Sequence, residues 1–362
     1  MSNFSHLKRA FLISDTHFGV RNNSIEWLEI QKDYFYNFFI PLLKKQKQPG
    51  DFVLHCGDVF DSRNSLNLLV MNETITIFEE IAKIMPVIII LGNHDIWKKS
   101  SNDVNSLKTM KWIPNIFIFE EPEVIQAGSK KLLLMPWRNG IEEEQACIDN
   151  HNADYLFCHT DVSGLKFNKH TEVEHGIDMN RLKKFRKVYS GHIHYAQGKS
   201  NFRMLGCPYP MTRSDNGNPK SVWLLDIESG TETQFENTRS PRFMRILFDK
   251  MIEMSLDQVN ALFENNFVDI MVDPKWSLSF PFGSLTEDLT TYRRLDIIPR
   301  ANSEESGGDY SHEDLEKIDI INISKRVIEK SSHSDAIKEK LMSVIKKLHE
   351  KAIKIQKEGG DE

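Results

Sequence analysis

The sequence predicts a protein of the α/β class, and three observations lead to this conclusion. Short apolar runs alternate with longer segments in which apolar residues recur at helical spacing. The runs are continuously apolar rather than alternating, which is typical of sheet strands covered on both faces. Most of the runs end in Asp, Asn or His. Because ligands in such folds bind outside the carboxyl ends of the strands, these ends predict a functional site.

Six short apolar runs are expected to form strands, because each is bounded by turn residues and is too short for a helix. They lie at 9–14, 51–56, 86–91, 131–135, 153–158 and 187–190. Two longer segments, roughly 24–47 and 65–84, carry apolar residues at helical spacing and separate the first three strands. This order of strand, helix and strand supports the α/β assignment.

The chain changes in character after about residue 238. The runs "FMRILFD" (243–249) and "FVDIMVD" (267–273) predict two strands, and "LDQVNALFEN" (256–265) predicts a helix between them. We therefore expect a main domain at 1–238 and a small α+β domain at 239–300.

The remaining residues predict a linker and a helical tail. The acidic, glycine-containing segment 301–314 has few apolar residues and predicts a flexible linker before a tail at 315–362. Residues 335–356 place apolar side chains at alternating steps of four and three, which predicts an amphipathic helix surrounded by lysines, with 313–330 as its companion. Such a stripe packs either on the protein's own domain or on a partner.

Composition excludes several classes of protein. The 362 residues predict two to three structural units, and the formal net charge of -6 argues against a globally basic nucleic-acid-binding surface. A local basic cleft remains compatible with this charge. We expect no signal peptide and no membrane-spanning segment, because the first residues are not sufficiently apolar and no apolar stretch reaches about 18 residues.

The cysteines favour a reducing compartment. None of the four forms a C-x-x-C pair, so neither a zinc ribbon nor a dithiol redox motif is expected. Several lie beside apolar runs, which predicts buried thiols. Their positions are Cys56, Cys147, Cys158 and Cys207. We therefore expect a reducing compartment such as the cytoplasm.

Two histidines give the first indication of a functional site. His192 and His194 follow a predicted strand in "VYSGHIHYAQ", and residues two apart on an extended chain point to the same face. Two such imidazoles are either hydrogen-bonded structural residues or a pair of metal ligands. Two histidines alone rarely complete a metal site, so further donors at other strand ends are required.

Further donors are present, and seven in total follow five predicted strands. They are Asp15, His17, Asp58, Asn93, His159, His192 and His194. A single Asp or Asn after a strand is commonly a turn residue, but five coincident strand ends favour a shared site. Oxygen and imidazole donors without thiolate favour manganese, magnesium, iron or zinc. Seven donors suit two metal ions about 3.5–4 Å apart and bridged by a carboxylate, for which Asp58 is the candidate.

The motifs resemble those of a known superfamily. The segments "DTHFG", "GDVFD", "GNHD", a lone His after a strand and "GHIH" match, in order, the five motifs of the calcineurin-like metallophosphoesterases. The opening "DTHFG", the segment 206–227 and the domain layout resemble the SbcD-type nuclease subunits of bacteria and phages, relatives of the eukaryotic double-strand-break repair nuclease. The resemblance implies a four-layer α-β-β-α sandwich with a small α+β capping domain and a C-terminal helical tail.

The resemblance also implies a role for each donor. One metal ion would be held by Asp15, His17, Asp58 and His194, and the other by Asp58, Asn93, His159 and His192. His94 matches the catalytic histidine, which stabilises the transition state or protonates the leaving 3′ oxygen, and Asp95 is expected to orient it. Where some relatives carry a histidine three residues after the bridging Asp, this chain has Asp61. The implied cofactors are two divalent metal ions, Mn²⁺ in the first place and Mg²⁺ as the alternative.

The activity implied by the resemblance is that of a DNA nuclease. It comprises 3′–5′ exonuclease activity on double-stranded ends and endonuclease activity on single strands, in DNA repair, recombination and replication. The implied partners are DNA, a coiled-coil ABC-type ATPase of the SbcC type gripped by the helical tail, and a second copy of the chain. The helical stretch near Trp27, Phe35 and Phe38 would either form the homodimer surface, as in the family, or belong to the core, and the sequence does not distinguish the two.

Basic residues in the loops after the strands are candidates for DNA phosphate contacts, although surface loops commonly carry such residues. They are Arg21, Arg63, Lys98, Lys99, Lys166, Lys169, Lys199 and Arg203. Two other functions remain open. One is a phosphatase or phosphodiesterase that acts on phosphoproteins or small phosphodiesters, and the other is a non-catalytic scaffold. Substrate choice separates the first from the nuclease, and metal content separates the second.

Overall fold

The computed structural model of the protein describes residues 3–98, 100–169, 171–273, 289, 292–299, 338, 339 and 343. The chain divides into two compact units, Met1–Ser306 and Gly307–Glu362. The predicted linker at 301–314 and most of the predicted amphipathic helix at 335–356 lie outside the described residues. Within the described part of the chain, no helix combines the length and the apolar character needed to cross a membrane.

The strands of the first unit form two large sheets, a small sheet and a hairpin. They are β1 (Arg9–Ile13), β2 (Asp51–His55), β3 (Val87–Ile90), β4 (Ile96–Lys98), β5 (Ser101–Asn105), β6 (Ile116–Phe119), β7 (Glu123–Ala127), β8 (Lys130–Met135), β9 (Tyr155–His159), β10 (Lys187–Gly191), β11 (Gln197–Lys199), β12 (Phe202–Met204), β13 (Ser221–Asp226), β14 (Glu232–Glu236), β15 (Phe243–Leu247), β16 (Phe267–Val272) and β17 (Arg294–Pro299). Each of the six strands predicted in the main domain is present, with its ends within two residues of the predicted ends.

Two six-stranded sheets make up the main domain. The first has the order β14-β13-β1-β2-β3-β6, and β1, β2, β3 and β6 run parallel. The second has the order β11-β12-β10-β9-β8-β7, with β12, β10, β9 and β8 parallel and the two outer strands antiparallel to their neighbours. The parallel strands therefore direct their carboxyl ends to one edge of each sheet, where the connecting loops lie.

Helices cover the outer faces of the two large sheets, and two further helices pack on the small sheet. They are α1 (Ile25–Tyr34), α2 (Ile40–Gln46), α3 (Leu68–Ile84), α4 (Ile141–Asn150), α5 (Met179–Leu182), α6 (Phe248–Met251) and α7 (Leu256–Phe263). The segment predicted as one helix at 24–47 is α1 and α2 joined by a π-helical turn at Phe35–Phe39. Asn67 is the N-cap of α3, and its side chain accepts a hydrogen bond from Leu69 N (2.9 Å), which satisfies an otherwise unpaired donor.

Alternate residues of the strands pack on opposite faces, which produces four layers. Between the sheets, one buried cluster joins Leu12 and Leu54 of the first sheet to Leu134 and Phe157 of the second. The next residues along the strands face outward. The cluster outside the first sheet comprises Phe11, Val53 and Ile89 with Phe35 and Phe78, and that outside the second comprises Leu133, Leu156 and Val188 with Ile148 and Phe185. This arrangement confirms the predicted α-β-β-α sandwich.

The aromatic residues that we associated with a homodimer surface are largely internal. Trp27 and Phe35 are buried, and Phe38 packs against the same cluster outside the first sheet. Trp27 also stacks on Phe267 of the small sheet, with ring centroids 5.5 Å apart. The apolar character of this helical stretch is thus explained by packing within the chain.

In the region predicted as a small α+β domain, the described residues form the two predicted strands and the predicted helix, together with β17, which was not predicted. Its sheet is parallel, with the order β15-β16-β17, and its own apolar cluster includes Val259, Phe263 and Ile270. A fork of hydrogen bonds attaches it to the main domain. The guanidinium group of Arg213 donates to both carboxylate oxygens of Asp269 (2.8 and 2.9 Å) and to Asp296 (2.6 Å).

Candidate metal centre

The seven predicted donors lie on loops at the carboxyl edges of the two sheets. Asp15 and His17 follow β1, Asp58 follows β2 and Asn93 follows β3. In the second sheet, His159 ends β9, and the pair His192 and His194 follows β10. Four of these residues have a positive φ, a conformation rare outside glycine: Asp15 (53°), His17 (43°), Asp58 (56°) and His192 (95°). Unusual backbone conformations of this kind concentrate at functional sites.

One group of donors gathers around His17. Its Nε2 atom lies 3.0 Å from Nε2 of His194, 4.0 Å from Oδ1 of Asp15 and 3.6 Å from Oδ2 of Asp58. Burial and the neighbouring His17 lower the pKa of His194 to about 4. Two ring nitrogens at this distance need a proton or a cation between them, so this group could hold a metal ion.

A second group gathers around His159. Its Nε2 atom lies 2.9 Å from Oδ1 of Asn93 and 3.2 Å from Oδ2 of Asp58. Oδ1 of Asn93 is also 2.8 Å from Nδ1 of His192. On the far side of the ring, Nδ1 of His159 donates to the carbonyl oxygen of Cys56 (2.7 Å), so Nε2 faces two oxygen acceptors and requires a proton or a cation there. A cation at this point would satisfy all these donor atoms.

Asp58 belongs to both groups. Its Oδ2 atom is close to Nε2 of His17 and to Nε2 of His159, whereas its Oδ1 atom accepts a hydrogen bond from the backbone N–H of His94 (2.8 Å). The side chain is almost completely buried. A carboxylate with one oxygen between two imidazole groups has the position expected of a ligand shared by two metal ions.

The electrostatics of the cluster favour positive charge. Burial opposes a charge on His17, but Asp61, Asp58 and Asp15 outweigh it and raise the pKa of His17 to about 9. Burial likewise opposes a charge on His159, and Asp58 and Asp15 raise its pKa to about 9. These raised pKa values indicate a strongly negative potential within a site built only from oxygen and imidazole donors. The residues therefore fit divalent cations.

Comparison with known proteins identifies the family. The calcineurin-like phosphoesterase family matches residues 8–196, slightly more than half of the chain and all seven candidate donors. The chain belongs to the calcineurin-like phosphoesterases. Divalent metal ions serve this family, and the groups around His17 and His159 are among the candidates for holding them here.

The relatives of this phosphoesterase include a viral nuclease subunit. Exonuclease subunit 1 of Enterobacteria phage T4 is 27% identical over 229 residues, which cover 60% of this chain and 64% of the relative. The chain thus spans slightly less than two thirds of that relative. Among solved structures, an archaeal phosphodiesterase is 14% identical with a TM-score of 0.33, covering 63% of this chain and 99% of its own. A protein of unknown function from Aquifex aeolicus is 20% identical with a TM-score of 0.30, covering 46% and 83%.

Two glycines of the phosphoesterase motifs permit the close approach of the loops. A Cβ atom on Gly92 would lie 2.1 Å from Oδ1 of Asp58, and one on Gly191 would lie 2.0 Å from Oγ of Ser14. Both distances are far below van der Waals contact, so any side chain would displace the neighbouring donors. Gly92 thus allows the loops after β2 and β3 to approach each other, and Gly191 allows β10 of the second sheet to approach the loop after β1 of the first.

His94 and Asp95 contact the centre differently from our expectation. The carboxylate of Asp95 accepts backbone N–H groups of Asp58 (2.8 Å), Gly92 (2.9 Å), Val59 (3.0 Å) and Phe60 (3.2 Å), and so holds the loop that carries Asp58. The ring of His94 is instead oriented by the backbone, because its Nδ1 atom lies 2.6 Å from the carbonyl oxygen of Asp61. Burial, assisted by Asp58, raises the pKa of Asp95 to about 7.

Buried side chains from other elements hold the His17 loop. Nε2 of Gln31 on α1 donates to the carbonyl oxygens of Thr16 (2.9 Å) and His17 (3.0 Å), and the hydroxyl of Tyr209 also donates to Thr16. On the other side of the ring, Nδ1 of His17 lies 3.2 Å from Oδ1 of Asp61. The position of His17 is therefore defined from several directions.

A buried ion pair holds the His194 segment. The ammonium group of Lys220 donates to the carboxylate of Asp215 (2.5 Å), to the carbonyl oxygen of His194 (2.8 Å) and to Oδ1 of Asn218 (3.2 Å). The side chain of Asn218 also exchanges hydrogen bonds with both backbone groups of Ala196 (2.8 and 2.9 Å). The three donors of the ammonium group are thus all used, and the segment after β10 is fixed.

Replacing Lys220 with methionine is expected to destabilise the protein by about 3–5 kcal/mol, because Asp215 is left as an unpaired buried charge. Chemical denaturation monitored by circular dichroism measures this change. The double variant Lys220→Met/Asp215→Asn removes both charges and should recover much of the lost stability. Equal destabilisation in the single and double variants would show that the ion pair is not the cause.

The candidate DNA contacts fall into two classes. Lys98, Lys166, Lys169 and Lys199 are exposed, and Lys99 lies outside the described residues. Two of the three arginines make contacts within the protein. Arg21 donates to the carbonyl oxygen of Met211 (3.0 Å), and Arg203 donates twice to Glu232 (3.0 Å each) while stacking on Trp223.

Arg63 differs from the other arginines among the candidate DNA contacts. Its Nε atom is buried without a hydrogen-bond partner among the described residues. An unpaired buried donor costs free energy, so an acceptor that reached the Nε–H group of Arg63 would be favoured.

Two side chains at the centre were not predicted. Asp161 lies beside His192, and the indole ring of Trp137 packs against the rings of His192 and His159, with centroids 5.1 and 6.1 Å apart. Both residues follow predicted strands, Trp137 after 131–135 and Asp161 two residues beyond His159. Their position at the strand ends is the only signal in the sequence that could have identified them.

Proposed function

We propose that this phosphoesterase is the nuclease subunit of a DNA-processing complex and uses two metal ions. The observation that carries the proposal is the position of Asp58 Oδ2, which lies 3.6 Å from Nε2 of His17 and 3.2 Å from Nε2 of His159. The similarity to exonuclease subunit 1 of phage T4 supports a nucleic-acid substrate. The sequence resemblance to SbcD-type subunits supports the same assignment.

The proposed ligands follow from the two groups of donors. One ion is assigned to Asp15, His17, Asp58 and His194, and the other to Asp58, Asn93, His159 and His192. When bound, the two cations polarise the phosphodiester, neutralise its developing charge and lower the pKa of the attacking water. We assign Mn²⁺ as the ion, with Mg²⁺ as the alternative.

The role proposed for His94 follows from its orientation. Because the carbonyl oxygen of Asp61 can only accept, the Nδ1 atom of His94 carries a proton, and we assign its Nε2 atom to the contact with the substrate. The ring is close to the cluster, with its centroid 4.9 Å from that of His17. In this position it stabilises charge on the phosphate or, when doubly protonated, donates a proton to the leaving 3′ oxygen.

The proposed biological setting comes from the resemblance to SbcD-type subunits. It comprises 3′–5′ degradation of double-stranded ends, cleavage of single strands, a coiled-coil ATPase partner of the SbcC type and a homodimer in the cytoplasm. The exposed lysines near the strand ends are suited to contacts with DNA phosphates, which would make affinity depend strongly on salt. The small domain is the proposed cap that helps to place duplex DNA.

The proposal is tested by cleavage of end-labelled duplex and single-stranded DNA in Mn²⁺, alone and with an SbcC-type ATPase. Degradation from 3′ ends that stops on chelation and returns on adding Mn²⁺ is the expected result. A generic phosphodiester, bis(p-nitrophenyl) phosphate, serves as the comparison substrate. If it is cleaved while DNA stays intact under both conditions, the metal centre stands and the nuclease assignment is wrong.

A further inference from the structure

Asp161 lies behind a candidate ligand rather than within the cluster. It is on the loop after β9, and its Oδ2 atom is 3.3 Å from Nε2 of His192. The other ring nitrogen of His192, Nδ1, is 2.8 Å from Oδ1 of Asn93 in the second group of donors. The imidazole ring therefore stands between the carboxylate and the candidate metal site, with one nitrogen facing each.

The contact between Asp161 and His192 determines which nitrogen of the His192 ring can bind a cation. A histidine binds a metal ion through an unprotonated nitrogen, and the proton then resides on the other nitrogen, where a hydrogen-bond acceptor holds it. In His159 the carbonyl oxygen of Cys56 is that acceptor. In His192 the acceptor is a carboxylate, which also makes the ring a stronger electron donor than a carbonyl oxygen would.

Two further contacts limit the movement of His192. Trp137 packs against the ring, with centroids 5.1 Å apart. The backbone N–H of His192 donates to both carboxylate oxygens of Asp15 (2.9 and 3.2 Å). These contacts restrain the backbone and one ring face of His192. The carboxylate of Asp161 then determines the rotation of the side chain and which ring nitrogen carries the proton.

We propose that Asp161 is a positioning residue for His192 and sets the affinity of the second metal site. It keeps the proton on Nε2 and thereby directs the Nδ1 lone pair toward Asn93 and the cation. The inference rests on the proposed metal centre and adds to it a residue outside both ligand sets. It predicts a selective effect, because Asp161 contacts His192, which belongs to the second group only.

The test is a calorimetric titration of the metal-free full-length protein with Mn²⁺. The variants are Asp161→Asn, which keeps an acceptor oxygen, and Asp161→Ala, which removes it. Asp154→Asn is the matched control, because Asp154 is also partly buried and lies at the opposite end of the same strand. We expect the second site to weaken about 10-fold in Asp161→Asn and up to about 100-fold in Asp161→Ala, with the first site and the control unchanged.

Electron paramagnetic resonance provides an independent readout. At equal Mn²⁺ the variants should show an uncoupled single ion where the wild type shows a coupled pair, and the melting temperature of the metal-free proteins should stay the same. Unchanged affinity at both sites, or equal weakening of both, would overturn the role of Asp161. If the wild type itself binds no Mn²⁺, the metal centre of the proposed function is what fails, and the inference fails with it.

Discussion

Replacing Asp58 with asparagine is expected to weaken the binding of both metal ions and to reduce DNA cleavage by about 1000-fold or more. The reason is that one carboxylate oxygen serves both groups of donors, and metal ions contribute several kcal/mol to stabilising the transition state. Asparagine keeps the size of the side chain and the acceptor for the His94 N–H group. It cannot supply a negative charge at the shared position.

The measurement is a Mn²⁺ titration of the metal-free variant followed by the cleavage assay over a range of Mn²⁺ concentrations. Asp149→Asn is the control for the lost charge, since Asp149 is exposed and pairs with Arg181 on the surface. Loss of only one of the two ions in Asp58→Asn would contradict the shared-ligand role.

Replacing His94 with asparagine is expected to lower the turnover rate by about 100- to 10,000-fold, the usual contribution of a general acid or base. Both Mn²⁺ ions should bind with the affinity of the wild type, because neither proposed ligand set includes His94. The backbone N–H that His94 donates to Asp58 is also retained. Single-turnover cleavage of end-labelled duplex DNA gives the rate of the chemical step.

His175→Asn is the matched control, because His175 is exposed and lies outside both groups of donors. Together, Asp58→Asn and His94→Asn distinguish residues that bind the metal ions from a residue that acts in the chemical step. Asp58→Asn should fail at metal binding, whereas His94→Asn should fail only at turnover. Retention of full activity in His94→Asn at saturating Mn²⁺ would remove His94 from the mechanism.

The strands that build the centre were predictable because they are buried on both faces. β2, β3 and β9 are completely buried, so their sequences are continuous apolar runs. The outer strands were not predicted, because a strand such as β14 has little apolar character in the sequence "ETQFE". The pairing of β13 with β1 was also missed, since contacts between distant segments leave no local pattern.

Proximity of the donors could be predicted from the sequence, but their exact contacts could not. The positions of Asp15, Asp58 and His192 after strands followed from the ordered motifs, because parallel strands direct their ends to a common edge. The direction of each ring depends on backbone conformation and on distant partners. The contact of Asp95 with backbone N–H groups, rather than with the ring of His94, is an example.

The ion pair beneath His194 also limits how this loop can diverge between related proteins. A single mutation that removes either Lys220 or Asp215 leaves a charge inside the protein, and such an intermediate would be lost by selection. The two positions are therefore expected to covary, changing together or not at all. Asn216 and Pro219 lie between them on the surface and carry no buried charge, so each can change independently. The same short loop should therefore combine slowly and rapidly evolving positions.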